Sequence, residues 1–115
     1  VDTKKQKELR SLITTIDEKA FSLCKSITKL EFAEGIEVIG DWAFSNCTSL
    51  TSIKLPETLT TLGMQAISGC ENLVEVYFPK SLTDIGSSFG YGNPTIYVKK
   101  GSKADEDFFS NKVYY

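Results

Sequence analysis

The chain has 115 residues and a formal net charge of -2, from 13 Lys and Arg residues against 15 Asp and Glu residues. This balance disfavours a nucleic-acid partner held by bulk electrostatics, and no apolar run reaches the roughly 20 residues that span a bilayer. The sequence has no His, which excludes Ser-His-Asp and Cys-His catalysis and His-ligated zinc. Its three cysteines are too few for a four-thiolate zinc site. We therefore expect no enzyme and no cofactor, although catalysis by carboxylates, lysines or tyrosines stays open as a minor alternative.

Residues 1–15 are predicted to form an N-terminal half repeat or cap. Lys4 and Lys7 lie 23 residues before the apolar Ile27 and Leu30, so no regular strand is expected before residue 8. The apolar residues that follow suit a helical turn as well as a half coil: Leu9, Leu12, Ile13 and Ile16. Two interpretations stay open, a true cap or a boundary within a longer array, and we favour the second.

Residues 16–98 contain a repeat with a period of 23 residues. Cys24, Cys47 and Cys70 follow this spacing, and the same shift aligns the apolar positions of the whole segment. The main apolar columns are Ile16, Ile39, Leu62 and Ile85; Ile27, Leu50 and Leu73; Leu30, Ile53 and Val76; and Phe32, Leu55 and Phe78. One such coil cannot bury its own apolar face, whereas stacked coils bury a continuous strip. The period therefore predicts a repeat solenoid.

Each coil is predicted to contain one short strand. Residues 51–56 and 75–79 alternate polar and apolar side chains and end in Pro. Because equivalent strands of successive coils lie side by side, we predict a parallel sheet with strands centred near residues 30–32, 53–55 and 76–78.

The segment before each strand is predicted to turn sharply. Gly40, Gly63 and Gly86 share one column, and we expect a tight bend there that neither a side chain nor a negative φ would fit. The Ala-Phe-x-x-Cys stretch that follows has the spacing of a short helical or 3-10 turn. We interpret its cysteines as buried apolar residues rather than a metal or redox site, and we expect no disulfides.

The C-terminal part of the chain departs from the repeat. The fourth coil is shortened over residues 87–94 and lacks the cysteine, and residues 95–98 supply a further strand. Residues 99–115 are predicted to form a C-terminal helical cap, in which Ser102 is the helix N-cap and the acidic first turn suits the helix dipole. Phe108 and Phe109 are expected to cover the open end of the stack.

The repeated pattern I-G-x-x-A-F-x-x-C-x-x-L-x-x-I-x-L-P-x-x-L resembles the BspA-like class of leucine-rich repeats, over about residues 8–100. The resemblance implies a right-handed solenoid with a parallel sheet on one face and short helical or 3-10 turns on the other. It also implies an exported protein, secreted or at the cell surface, with a role in binding and adhesion.

We expect a ligand of this protein to bind the outward side chains of the predicted strands. One outward column contains Glu31, Lys54, Tyr77 and Tyr97, and a neighbouring column contains Lys29, Ser52, Glu75 and Thr95. The two tyrosines would supply rigid contact area, and Glu31, Lys54 and Glu75 would set the polarity. The alternative is a solvated sheet face on which Glu31 and Lys54 pair weakly.

Trp42 is a secondary candidate on the opposite side of the coil. It occupies a variable column with Lys19 and Gln65, so we expect it to be at least partly exposed, and an exposed Trp can anchor a partner.

Two functions stay open. The first is a non-catalytic module that binds a protein or a glycan, with adhesion as one use, and the second is a structural spacer that binds nothing. We expect no metal, no nucleic acid and no insertion of this segment into a membrane. The sequence carries no signal of oligomeric state.

Overall fold

The structure is a computed structural model that describes residues 14–32, 34–87, 94–107 and 112–115. Two parallel sheets run along the stack of coils. The first contains β1 (Thr15–Ile16), β3 (Val38–Ile39), β5 (Thr61–Leu62) and β7 (Asp84–Ile85), in that order. The second contains β2 (Lys29–Glu31), β4 (Ser52–Lys54), β6 (Glu75–Tyr77), β8 (Thr95–Val98) and β9 (Lys112–Tyr114).

The register of the second sheet follows the sequence repeat. Leu30 pairs with Ile53 and Ile53 with Val76, and each partner lies one full repeat further along the chain. Val76 then pairs with Ile96, which lies less than one full repeat away because the fourth coil is shortened. The predicted parallel sheet is confirmed, with strands that begin and end slightly earlier in the chain than expected.

The sequence analysis did not predict the first sheet. Its four strands have two residues each, which is too short for a recognisable alternation of polar and apolar side chains. Ile39 and Leu62 from this sheet are nearly fully buried, at 1% exposure each. The repeat solenoid therefore places a sheet on two sides of the coil.

The core is built from one side chain of each apolar column per coil. Its largest fully buried members include Phe44, Phe78, Ile39, Leu50, Ile53, Leu59, Leu62 and Leu82. Cys47 and Cys70 are also buried, and Cys24 is half-buried; all three are free thiols. The Cys47 thiol donates to the carbonyl oxygen of Phe21 at 3.2 Å, and the Cys70 thiol donates to that of Phe44 at 3.2 Å.

The stretch predicted as a helical or 3-10 turn is a strip of consecutive turns instead. We call residues 18–23, 41–46 and 64–69 the turn strip. Within one coil Ser45 N donates to Trp42 O at 3.1 Å, but Trp42 N and Phe44 N donate to carbonyl oxygens of the next coil. Lys19, Trp42 and Gln65 share a left-handed φ, of 58°, 60° and 52°. A left-handed residue in every coil prevents a helix, because consecutive right-handed φ values are what a helix needs.

At the glycine column, the prediction that a side chain would not fit is right, and the prediction that a negative φ would not fit is wrong. Gly40, Gly63 and Gly86 do not have a positive φ. A side chain is nevertheless excluded, since a Cβ atom on Gly63 would lie 2.5 Å from the carbonyl carbon of Gly40. The column is glycine because adjacent coils approach closely there.

The described residues of the C-terminal region include the short helix α1 (Lys103–Asp107) and the additional strand β9. Ser102 is its N-cap, because its hydroxyl accepts from Asp105 N at 3.2 Å. The Asp105 carboxylate accepts from Gly101 N at 2.9 Å, from Lys112 Nζ at 2.6 Å and from Tyr114 OH at 3.0 Å. These bonds tie the helix to β9. Phe108, Phe109 and residues 1–13 lie outside the described residues, so the predicted roles of both ends stay predictions.

Candidate functional site

The five-stranded sheet turns one row of side chains inward and the neighbouring rows outward. Leu30, Ile53 and Val76 point into the core, whereas their neighbours on each strand are exposed or half-buried. We call the outward side chains the sheet face: Glu31, Lys54, Tyr77 and Tyr97 in one column and Lys29, Ser52, Glu75 and Thr95 in the other. Every candidate of the sheet face lies beside its predicted neighbours.

The two tyrosines of the sheet face are stacked. The ring centroids of Tyr77 and Tyr97 are 4.2 Å apart and the ring planes differ by 13°. Parallel strands lie about 4.8 Å apart, so identical side chains in register stack almost face to face. The stack is thus a direct result of the strand register.

Tyr115 joins this pair and was missed by the sequence analysis. Its ring lies 5.3 Å from Tyr77 at an angle of 83° and 6.4 Å from Tyr97 at 85°. Its hydroxyl donates to Phe78 O at 2.9 Å, and Lys99 Nζ lies 3.8 Å from its ring centroid. No repeat column includes Tyr115, so its position follows only from the pairing of β9 with β8. We call Tyr77, Tyr97 and Tyr115 the tyrosine cluster.

Glu75 is held in a fixed orientation next to the tyrosine cluster. Its carboxylate accepts from the Ser52 hydroxyl at 3.0 Å and from the Tyr77 hydroxyl at 3.4 Å. Partial burial, and secondly the charge of Glu75, raise the pKa of Tyr77. Burial, with the charge of Glu57 as the next cause, raises the pKa of Tyr115 to about 12. Both hydroxyls are therefore protonated donors at neutral pH.

The charged side chains that the sheet face carries on β2 and β4 have no partner among the described residues. In the part of the chain that the structure describes, neither Lys29, Glu31 nor Lys54 forms a salt bridge or a side-chain hydrogen bond. The weak pair between Glu31 and Lys54 that a purely solvated face would favour is not formed. These groups can bind a ligand without first breaking a contact with the described residues.

A shallow groove runs over the sheet face. Its lining residues are Lys29, Leu30, Glu31, Ser52, Lys54 and Glu75, with Tyr77 and Tyr115 on the β6 side. A second depression, beside Glu31 and Lys54, extends towards Glu57. The groove therefore combines an aromatic wall, one oriented carboxylate and several free charges.

Trp42 is separate from this groove. It is half-buried in the turn strip, as expected, and its main-chain N–H donates to Met64 O at 3.0 Å.

Within the described ranges, no group of three or more Cys, Asp or Glu residues is arranged to hold a metal ion. The described residues also contain no helix long and apolar enough to cross a membrane.

Comparison with known proteins agrees with the coil geometry. A family model described as "BspA type Leucine rich repeat region" matches residues 4–112 in 6 copies. The chain belongs to the BspA-type leucine-rich repeat family. The resemblance drawn from the repeated columns is confirmed.

A solved structure supports the same architecture. This BspA-type chain is similar to a leucine-rich repeat protein from Bacteroides ovatus, known from a crystal structure, with 30% sequence identity and a TM-score of 0.73. The similarity covers 89% of this chain and 28% of that protein, so the chain spans little more than a quarter of its structural relative. No curated protein matches the chain.

Proposed function

We propose that this leucine-rich repeat segment is a non-catalytic binding module, and that the sheet face recognises a protein or a glycan. The observation that carries the proposal is the preformed groove, in which Tyr77 and Tyr115 of the tyrosine cluster stand beside charges that have no partner within the described part of the protein. Rigid aromatic side chains supply contact area at a low cost in conformational entropy. We also propose, from the family, that the whole protein is exported or displayed at the cell surface and can act in adhesion.

The spacer function is the weaker alternative. A spacer needs only stacked coils and a polar surface. The apolar columns supply the stacking, and charged residues on the sheet face would supply the surface. It has no need of three clustered tyrosines on the outward side of a sheet. Glu31 and Lys54 form no ion pair among the described residues, so no such contact has to be broken when a ligand binds, which favours a role towards a ligand.

The test is a binding screen of the folded chain against purified extracellular-matrix proteins and a glycan array. Lys54→Glu reverses an exposed, unpaired charge in the groove and should leave the fold unchanged, whereas Met64→Ala is a matched surface change in the turn strip. We expect Tyr77→Ala with Tyr97→Ala to weaken binding roughly thirtyfold, as loss of an interface hot spot does. Lys54→Glu should also weaken binding, and Met64→Ala should not.

Two outcomes would contradict the proposal. Normal binding by both groove variants together with loss of binding in Trp42→Ala would place the site on the turn strip. Absence of any ligand in both screens would favour the spacer. Circular dichroism of the double tyrosine variant is needed as a control, because Tyr115 packs against both rings.

A further inference from the structure

Tyr97 stacks on one face of the Tyr77 ring, and the residues that line the groove with Tyr77 lie on the side of the other face, which we call the open face. Tyr97 covers the first face at 4.2 Å. The second face points along the sheet towards β4, where Lys54 is the register partner of Tyr77. Lys99 Nζ lies over the ring of Tyr115, but among the described residues no cation lies over the open face of Tyr77. A flat ligand placed there would continue the stack of the two tyrosines over the next strand.

Tyr77 is held rigidly for such a contact. Tyr97 supports its covered face, Tyr115 packs on its edge, and its hydroxyl donates to Glu75. A ring that is already fixed loses little conformational entropy when a ligand stacks on it. The site is therefore preorganised around one aromatic face.

The charges around this face cancel. The groove has two lysines, Lys29 and Lys54, and two glutamates, Glu31 and Glu75. The lining residues therefore have a net charge of zero, which gives neither an anionic nor a cationic ligand an electrostatic advantage from the lining itself. The same four groups supply hydrogen-bond donors and acceptors at the rim of the aromatic face, and Glu75 is already oriented by Ser52. This arrangement suits a neutral ligand with an apolar face and a rim of polar groups.

The size of the groove suits a single sugar ring. Eight residues line it, and a protein partner would have to extend well beyond it, because a stable protein interface uses about 20–30 residues on each side. A pyranose ring has the required chemistry, because the C–H groups of one face are apolar and its hydroxyls both donate and accept. An acidic peptide or a polyphosphate would need an excess of lysines, which the groove lacks.

We propose that the open face of Tyr77 is a subsite for one neutral pyranose unit of a glycan, which stacks on the ring above Lys54 and binds the Glu75 carboxylate through its hydroxyls. This subsite rests on the sheet face being the binding surface and adds the class of its ligand. Lys54 and Lys29 donate to further hydroxyls, and Tyr97 supports the stacking ring from behind.

The test uses saturation-transfer-difference NMR of the folded chain with three neutral probes, the methyl glycosides of glucose, galactose and mannose, and with N-acetylneuraminic acid as an anionic probe. We expect at least one neutral probe to bind, with saturation concentrated on the C–H protons of one face of its ring. With selectively labelled tyrosine rings, the largest change in chemical shift on addition of the probe should be at Tyr77.

Substitutions at one position separate stacking from hydrogen bonding. Tyr77→Ala should weaken binding by roughly tenfold or more, and Tyr77→Phe, which keeps the aromatic face, by no more than about threefold. Lys80→Ala, an exposed lysine outside the groove, is the matched control and should bind as the wild type does. Equal losses in Tyr77→Phe and Tyr77→Ala would overturn the stacking geometry.

The failure of the subsite and the failure of the binding module give different results. If no neutral glycoside binds, or if the anionic probe binds in preference, the pyranose subsite is wrong. If a matrix protein nevertheless binds, and Lys54→Glu weakens the binding of that protein, the sheet face is still the binding surface. Binding of sugars that no sheet-face substitution affects would overturn both.

Discussion

Adjacent coils of this solenoid come close together at the glycine column, and Gly63→Ala tests how much stability depends on that approach. A Cβ atom on Gly63 would lie 2.5 Å from Asp41 N and 2.5 Å from the carbonyl carbon of Gly40. Both are main-chain atoms, so no change of rotamer can relieve the overlap. The two coils would have to separate.

Separation would weaken the hydrogen bonds on both sides of the contact. Gly63 N donates to Ile39 O at 2.7 Å, Met64 N to Asp41 Oδ1 at 2.7 Å and Trp42 N to Met64 O at 3.0 Å. Loss of two such bonds costs about 2 kcal/mol, and overpacking of a tight site costs about 1–3 kcal/mol more. The lower entropy of the unfolded alanine chain offsets about 0.4–1 kcal/mol. We expect Gly63→Ala to lower the free energy of unfolding by about 2–4 kcal/mol.

Urea unfolding followed by Trp42 fluorescence measures this change, because Trp42 lies in the turn strip close to the glycine column. Met64→Ala is the matched control: its side chain is 56% exposed, and we expect a change within about 0.5 kcal/mol. Gly101→Ala separates crowding from backbone strain, since its Cβ atom would meet nothing within 4 Å although its φ is +81°. If Gly63→Ala unfolds at the same urea concentration as the wild type, the close approach of the coils does not limit stability.

Two further predictions concern the cysteine column and the C-terminal region. Cys47 and Cys70 should resist a thiol reagent in the native protein, because burial raises the pKa of both, that of Cys70 to about 11. Cys24, whose pKa is lowered by a serine hydroxyl, should react first in peptide mass spectrometry, and rapid labelling of all three would contradict a buried column. Hydrogen bonds from Lys112 and from a main-chain amide lower the pKa of Asp105 from 3.8 to about 2. The ionised carboxylate therefore stabilises the fold at neutral pH. This contribution is lost as the pH falls from about 3.8 to about 2. Asp105→Asn should lower the melting temperature at neutral pH, and its melting temperature should fall less than that of the wild type as the pH is lowered through this interval. An identical fall in both proteins would refute the role of this carboxylate.

The sequence by itself was sufficient for the repeat architecture and for most of the candidate site. A constant period means that each apolar column must stack on its own copy, so Leu30, Ile53 and Val76 could be aligned without a structure. The alternation within each strand then placed Tyr77 next to Tyr97 on the outward side. These features depend on local pattern, on one repeated spacing and, for Tyr97, on the alignment of residues 95–98 with the earlier strands despite the shortened fourth coil. A sequence carries this information directly.

The tertiary structure decided what the repeat does not encode. Tyr115 reaches the sheet face only because β9 pairs with β8, and no periodicity links it to Tyr77. The turn strip forms turns rather than a helix because alternate N–H groups donate to the next coil, as Trp42 N does to Met64 O. The absence of an ion pair between Glu31 and Lys54 likewise follows from side-chain directions, which the strand register alone does not determine. Contacts between different coils and with the atypical last strand therefore needed the folded structure, because their energies depend on distances that no single segment of the sequence sets.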